Sequence, residues 1–100
     1  MIDIKFISDD KTFDLFVKGH ADFAQKGQDI VCAAVSILVQ TLADCLDEMS
    51  SYYDIGRDDD GVITHIGAAG KNAAILGETT LHGLQLVANA YPDFVKLTHE

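Results

Sequence analysis

Three residues whose side chains can together cleave an acyl bond lie in the first third of the chain: His20, Asp29 and Cys32. Asp29 is a good N-cap residue, because its carboxylate can accept a backbone N–H of the first helical turn. The sequence from Ile30 onward predicts a helix, which places Cys32 in that turn. There the positive end of the helix dipole favours a thiolate. Cys32 is therefore a candidate nucleophile, and His20 is its candidate base.

Each of these residues also has a purely structural interpretation. A lone cysteine on an apolar helix is usually a small buried hydrophobe, and this interpretation suits Cys45 in mid-helix. A histidine that follows a glycine at a strand end is more often an ordinary loop residue. The residue chemistry alone supports an enzyme and a non-catalytic protein about equally. A redox-sensing thiol at Cys32 is a third interpretation.

The roles of Asp29 and Ser36 stay open at this level. Asp29 either caps the helix or orients His20, which is the third role in many such sites. An uncompensated carboxylate beside Cys32 would oppose a thiolate, so Asp29 should be engaged by backbone N–H groups or by His20. Ser36 lies one turn after Cys32 on the same helix face. Its hydroxyl either bonds within the site or back-bonds to the helix.

The composition bounds the class of protein. One hundred residues, 48% of them apolar, fit a single domain spanning residues 1–100 with a core of its own. The net charge of −9 argues against direct binding of nucleic acid and suits a basic partner. No apolar run is expected to reach membrane-spanning length, and the first residues do not resemble a signal peptide. We therefore expect a cytoplasmic protein without membrane contact.

The sequence predicts neither a metal nor a cofactor. The cysteines form no Cys-x-x-Cys pair, and the four histidines show no metal-ligand spacing. If Cys32 and Cys45 lie on one helix, they are roughly 20 Å apart, which no disulfide can span. The acidic run 58–60 before Gly61 lacks the further ligands of a calcium loop, so it is expected to be a solvated turn.

The hydrophobic pattern predicts seven elements in the order β-β-α-β-β-α-β. Their predicted bounds are 2–7, 12–19, 29–50, 52–57, 62–67, 71–90 and 94–98. The inner stripe of the first helix is predicted to contain Val31, Val35, Leu38, Leu42, Cys45 and Met49, widened by Ile30, Ala34 and Ile37. That of the second helix is predicted to contain Leu76, Thr80, Leu84, Val87 and Tyr91. The order favours an α+β fold, with a largely antiparallel sheet and both helices packed on one face.

A polar segment, residues 20–28, connects the candidate base to the candidate nucleophile. A connection of this length without clear secondary structure is more often functional than decorative. We take Gly19, Ala21 and Gly27 as candidate substrate-loop residues. Residues 21–28 are expected to order when substrate binds, with Gly27 as the hinge.

The run Gly19-His20-Ala21, then a glycine-containing loop, then Asp29-Ile30-Val31-Cys32-Ala33-Ala34-Val35-Ser36, resembles the signature of a known family. That family is the ribosomal-processing cysteine proteases, Prp, formerly called YsxB-like. The chain length, the second helix and the Tyr91-Pro92 pair before a last strand resemble the family as well. The resemblance therefore covers the whole chain.

The resemblance implies an activity as well as a fold. It implies a cytoplasmic, homodimeric bacterial endopeptidase that needs no cofactor. Its substrate would be the precursor of the twenty-seventh protein of the large ribosomal subunit, which loses a short N-terminal extension after paired phenylalanines. By the same resemblance, His20 takes the thiol proton and Cys32 attacks the carbonyl. The presence of both residues favours the enzyme over a non-catalytic ribosome-associated binding module.

Two further expectations concern the cysteines and follow from helix position. The helix N-terminus is expected to supply an oxyanion-binding N–H, such as that of Cys32 itself. Cys32 is expected to be the reactive thiol and Cys45 to be inert, because only Cys32 lies in a first turn.

Overall fold

The computed structural model describes residues 1–25, 29–50 and 52–100. Within them the chain forms five strands and two helices in the predicted order. The elements are β1 (Ile2–Asp9), β2 (Thr12–Lys18), α1 (Ile30–Met49), β3 (Tyr52–Arg57), β4 (Ile63–Ala69), α2 (Lys71–Ala90) and β5 (Val95–His99). The predicted bounds of β3 and α2 are confirmed, and the others differ from the observed bounds by one or two residues.

The strands form one sheet in the order β3-β4-β2-β1-β5. The pairs β1–β2, β2–β4 and β3–β4 are antiparallel, while β5 runs parallel to β1. Strands β4 and β5 point the same way because α2 carries the chain across the sheet between them. The predicted α+β fold with a largely antiparallel sheet is confirmed.

One face of the sheet carries the hydrophobic core. Apolar side chains alternate with exposed ones along the strands, as the period of two requires, and Ile4, Phe6, Leu15 and Ile66 are almost completely buried. Both helices cover this face. Their buried residues are Val31, Val35, Val39, Leu42, Ala43 and Leu46 in α1, and Ala73, Gly77, Thr80, Leu81 and Leu84 in α2. Phe16 lies on the opposite face and is exposed.

The inner face of α1 is rotated from the predicted stripe. Leu38 and Cys45 are only partly buried and Met49 is exposed, whereas Val39 and Leu46 are buried. The expected widening residues Ile30 and Ile37 are exposed too. Several apolar stripes can be drawn on a helix as apolar as α1. The contacts of the helix with the sheet and with the second helix determine which stripe is buried. The spacing of residues along the helix does not encode those contacts.

The inner face of α2 is shifted in the same way. Ala73 and Gly77 are buried although neither belongs to the predicted stripe, while Leu76, Val87 and Tyr91 are only partly buried; a glycine in a helix interior, such as Gly77, is itself a sign of close packing. Small residues face the sheet because the helix lies close to it. Hydrophobicity alone ranks alanine and glycine too low to reveal such a contact.

Helix α1 is long and apolar enough, by length and composition, to cross a membrane. This corrects the expectation that no apolar run reaches that length. The helix meets the criterion because its outer face also carries large apolar side chains, such as Ile30 and Ile37. Core helices of soluble proteins meet the same criterion, and the buried side chains of α1 pack against the sheet as such helices do.

Two glycines on α2 form a matched pair for a test of packing. A Cβ on Gly77 would lie 2.6 Å from the ring of Phe13, which is buried and stacked on Phe6; one on Gly83 would lie 2.8 Å from a methyl of Leu38. Because the ring cannot move and the methyl can, we expect Gly77→Ala to lower the free energy of unfolding by about 1–3 kcal/mol. Gly83→Ala should be near neutral, since helix propensity improves by about 1 kcal/mol. Urea denaturation measures both variants, and equal losses would contradict this account.

Candidate active site

His20 and Cys32 line the same cleft, which has a volume of about 430 Å³. His20 follows the end of β2, and Cys32 is the third residue of α1. The apolar lining consists of Ile2, Val17, Val35, Val39, Val62 and Ile63. The polar lining includes Ser36, Gln40, Arg57 and Asp60. The structure thus brings the predicted base and the predicted nucleophile to one site.

Gly19 sets the point at which the chain leaves β2. Its φ is +94°, in the region that favours glycine. A Cβ at this position would lie 2.4 Å from the carbonyl oxygen of Met1, so a side chain is excluded by contact as well as by conformation. Gly19 therefore fixes the backbone that presents His20 to the cleft.

Asp29 is the N-cap of α1 and binds three backbone N–H groups. Its Oδ1 accepts hydrogen bonds from Val31 and Cys32, and its Oδ2 accepts one from Phe23, all at 3.0 Å. The bond from Cys32 is the main cause that holds the pKa of the Asp29 carboxyl below its ordinary value of 3.8; burial opposes this shift and the Phe23 bond adds to it. Of the two open roles, capping is confirmed. In the described part of the chain, His20 is not a partner of this carboxylate.

The sulfur of Cys32 receives a backbone N–H in addition to the field of the helix N-terminus. Ala21 is buried, and its N–H donates to the Sγ of Cys32 at 3.4 Å. Both features place partial positive charge next to the sulfur. The N–H of Cys32 donates to Asp29 in this structure, and the expectation that the helix N-terminus binds an oxyanion stays a prediction.

Ser36 lies at the cleft one turn after Cys32. Its hydroxyl accepts a hydrogen bond from the side-chain amide of Gln40 at 2.8 Å. Because both residues line the cleft, this is a hydrogen bond within the polar lining of the site, which was one of the two roles predicted for Ser36.

Comparison with known proteins decides the family. The family model described as cysteine protease Prp matches residues 1–96. The chain belongs to this family. It is similar to the ribosomal processing cysteine protease Prp of Staphylococcus aureus, with 31% identity over 103 residues that cover 99% of this chain and 97% of the relative. The protein is therefore a cysteine protease.

Two crystal structures of the Staphylococcus aureus Prp protease resemble this one over the full length of both chains. The structure with a covalently linked product peptide has a TM-score of 0.90 at 29% identity. The structure with a substrate peptide has a TM-score of 0.76 at 27% identity. These likenesses agree with the α+β fold of this Prp-family chain.

Part of the predicted substrate loop is anchored to the body of this Prp-family fold. The ring of Phe23 packs edge-to-face on Tyr91 and Phe94, with centroids 5.5 and 5.1 Å apart. Its N–H binds the cap of α1, and Ala21 is buried. The beginning of the segment thus contacts the body of the fold, and its expected ordering on substrate binding stays a prediction. Gly27, the predicted hinge, lies outside the described residues.

Both cysteines lie on α1 as expected, and both are free and partly buried. Cys32 and Cys45 therefore differ in their position along the helix rather than in burial. Among residues 1–25, 29–50 and 52–100, no group of three or more His, Cys, Asp or Glu side chains is placed to hold a metal ion.

The residues that the second hairpin brings to the cleft were not predicted from the sequence. Its turn is built as predicted, with Gly61 at φ +82°. Asp58 Oδ1 accepts the N–H groups of Asp60 and Val62, and Arg57 donates to the carbonyl of Gly61 at 3.0 Å. No local signal could have linked this turn to the site, because only the pairing of β4 with β2 brings it there.

The cap of α1 gives a pH-dependent prediction. Because the pKa of Asp29 is lower in the folded than in the unfolded chain, its contribution to stability is complete above about pH 4 and is lost as the pH falls through the folded pKa. Asp29→Asn keeps a good cap but cannot titrate. We expect the stability difference between wild type and Asp29→Asn to shrink on acidification, as measured by urea denaturation between pH 2 and 7, roughly the span of carboxyl titration. An unchanged difference would contradict the role; Asp44→Asn, at an exposed position on α1, is the control.

Proposed function

We propose that residues 1–100 form a single protease domain that removes the N-terminal extension of a large-subunit ribosomal protein, the twenty-seventh, during ribosome assembly. The observation that carries this proposal is the shared cleft of His20 and Cys32 in a chain of the Prp family. The name of the Staphylococcus aureus relative, a ribosomal processing protease, supports a ribosomal substrate.

The proposed chemistry uses His20 and Cys32 as a dyad. His20 takes the proton of the Cys32 thiol, and the sulfur then attacks the scissile carbonyl. The C–N bond breaks as His20 returns the proton to the leaving amine, which gives a thioester. Water, deprotonated by His20, hydrolyses the thioester and restores the thiol. The N–H of Ala21 supports this scheme, because it stabilises negative charge on the sulfur before attack.

The charge and lining of the cleft support a basic substrate with apolar residues at the cut. The chain carries a net charge of −9, and Asp60 lies on the cleft wall beside an apolar floor. Ala33 and Ala34 follow Cys32, and their small side chains are compatible with a close-lying peptide, although neither lines the cleft. The preference for paired phenylalanines before the cut comes from the family resemblance.

We further propose that the protease is a cytoplasmic homodimer that needs no cofactor and does not bind nucleic acid directly. Large apolar side chains exposed on the helices support self-association: Ile37 and Ile75 are 63% and 58% exposed, and Leu86 is 72% exposed. Apolar surface of this kind commonly marks a protein interface. Sedimentation equilibrium tests the state of association, and a monomer at micromolar concentration would contradict it.

The decisive experiment incubates the extended ribosomal precursor with wild-type protein and with Cys32→Ala, and maps the new N-terminus by mass spectrometry. We expect the wild type alone to release the extension.

A precursor in which alanine replaces the phenylalanine before the scissile bond should lose most cleavage. Raising the salt concentration should lower kcat/KM, because it screens attraction between an acidic enzyme and a basic substrate. Cleavage by Cys32→Ala, or indifference to the phenylalanine change, would refute the proposal.

A further inference from the structure

A second cleft, of about 550 Å³, adjoins the catalytic one at the end of β2. The two clefts share lining residues, namely Val17, Gly19, His20, Asp60, Val62 and Ile63. The second cleft also includes Phe16, Lys18 and His65, whose strand positions place them on the sheet face opposite the helices. A peptide that passes His20 therefore has a continuous groove onto this face.

Phe16 and His65 form an aromatic pair in the second cleft. They are cross-strand partners on β2 and β4, and their ring centroids are 4.7 Å apart at an angle of 32°. Phe16 is 41% exposed. The imidazole is held by Asp14, whose Oδ1 lies 2.9 Å from Nε2. The position of the pair is thus fixed, while a face of the phenyl ring stays open to a ligand.

Two glycines keep the space beside this pair free of side chains. Gly67 lies opposite Asp14 in the sheet, and a Cβ there would lie 2.9 Å from the Asp14 carboxylate and 3.2 Å from the His65 ring. Gly56 lies opposite His65 on the other neighbouring strand, β3. The aromatic pair therefore lies beside sheet backbone that carries no side chains at these two positions.

The charges of the second cleft favour a cation. Asp58 and Asp60 contribute carboxylates to its wall and Lys18 contributes one ammonium group, while Asp14 lies behind the imidazole. Carboxylates therefore outnumber the permanent cation. An exposed aromatic face next to carboxylates attracts the side chain of lysine or arginine, because the ring quadrupole and the carboxylates act in the same direction.

We propose that this cleft is a subsite for a basic side chain of the peptide substrate, which packs on Phe16 and directs its charge toward Asp60. The inference rests on the proposed protease function and adds a specificity determinant to it. Phe16 lies in β2 and His20 lies two residues beyond its end, so four positions of chain place the two residues at most roughly 13 Å apart. An extended peptide covers that distance in at most about four residues, so we place the basic residue up to about four positions from the scissile bond.

The test uses synthetic peptides with Phe-Phe-Ala at the cut and either lysine or uncharged norleucine four positions away, on the N-terminal or the C-terminal side. On one of the two sides, we expect norleucine to raise KM about two- to fivefold with kcat unchanged. Phe16→Leu should abolish this preference for lysine. Asp60→Asn should weaken the preference and its dependence on salt. Tyr52→Leu is the matched control, since Tyr52 is 75% exposed on the same sheet face and lines neither cleft.

Binding of the same peptides to Cys32→Ala, followed by fluorescence anisotropy, separates the subsite from the proposed protease function. If the wild type cleaves no peptide, the proposed function fails, and the preference for lysine in binding still decides the subsite. A preference that Phe16→Leu leaves intact, or no preference on either side of the cut, would overturn the inference.

Discussion

Cys32→Ala is expected to lower kcat/KM for peptide cleavage by roughly 1,000-fold or more, and His20→Ala by roughly 100- to 10,000-fold. In the proposed dyad the sulfur attacks as a thiolate and the imidazole accepts its proton, so neither group works without the other. The double variant should therefore lose little more than the worse single variant. Cleavage of a fluorogenic peptide, followed under single-turnover conditions, measures all three losses.

Matched controls separate this dyad from general damage to the fold. Cys45→Ala changes the other free cysteine of α1, and His82→Ala changes an exposed histidine on α2; both should stay near wild-type activity. Iodoacetamide under native conditions should label Cys32 faster than Cys45, because only Cys32 has the helix N-terminus and the N–H of Ala21. Losses that simply add in the double variant, or equal labelling of the two thiols, would contradict the dyad.

The parts of this fold that were predictable depend on residues close together in sequence. Ile2, Ile4 and Phe6 alternate with polar residues, and this period alone indicates a strand with one buried face. Capping was one of the two roles predicted for Asp29, because two of its partners, Val31 and Cys32, lie within the next turn of the same helix. Local signals of this kind gave every element of the fold within two residues.

The remaining features depend on contacts between distant segments. The parallel pairing of β5 with β1 and the arrival of Asp60 at the cleft follow from sheet order, which local periodicity does not specify. The engagement of the Cys32 N–H was missed for a different reason. The N–H of Cys32 can donate either to an oxyanion or to the capping carboxylate. Which of the two it does depends on the position of the Asp29 carboxylate.

Gly19→Ala is expected to cost roughly 100-fold in kcat/KM, because it moves the candidate base without touching either member of the dyad. A side chain at φ +94° is strained, and its Cβ would lie 2.4 Å from the carbonyl oxygen of Met1. The backbone must therefore shift where it presents His20, and a misplacement of about 1 Å is enough for a loss of this size. The cost should appear in kcat more than in KM.

Gly70→Ala separates the effect of position from that of backbone strain. Gly70 also has a positive φ, +118°, but a Cβ there would meet nothing within 4 Å, and it lies at the N-cap of α2, outside both clefts. Both variants should lose roughly 1–3 kcal/mol of stability from the backbone conformation alone. The melting temperatures of the two variants should therefore fall by comparable amounts. Only Gly19→Ala should lose activity at a temperature where both are fully folded. Equal activity of the two folded variants would show that the exit of β2 does not position His20.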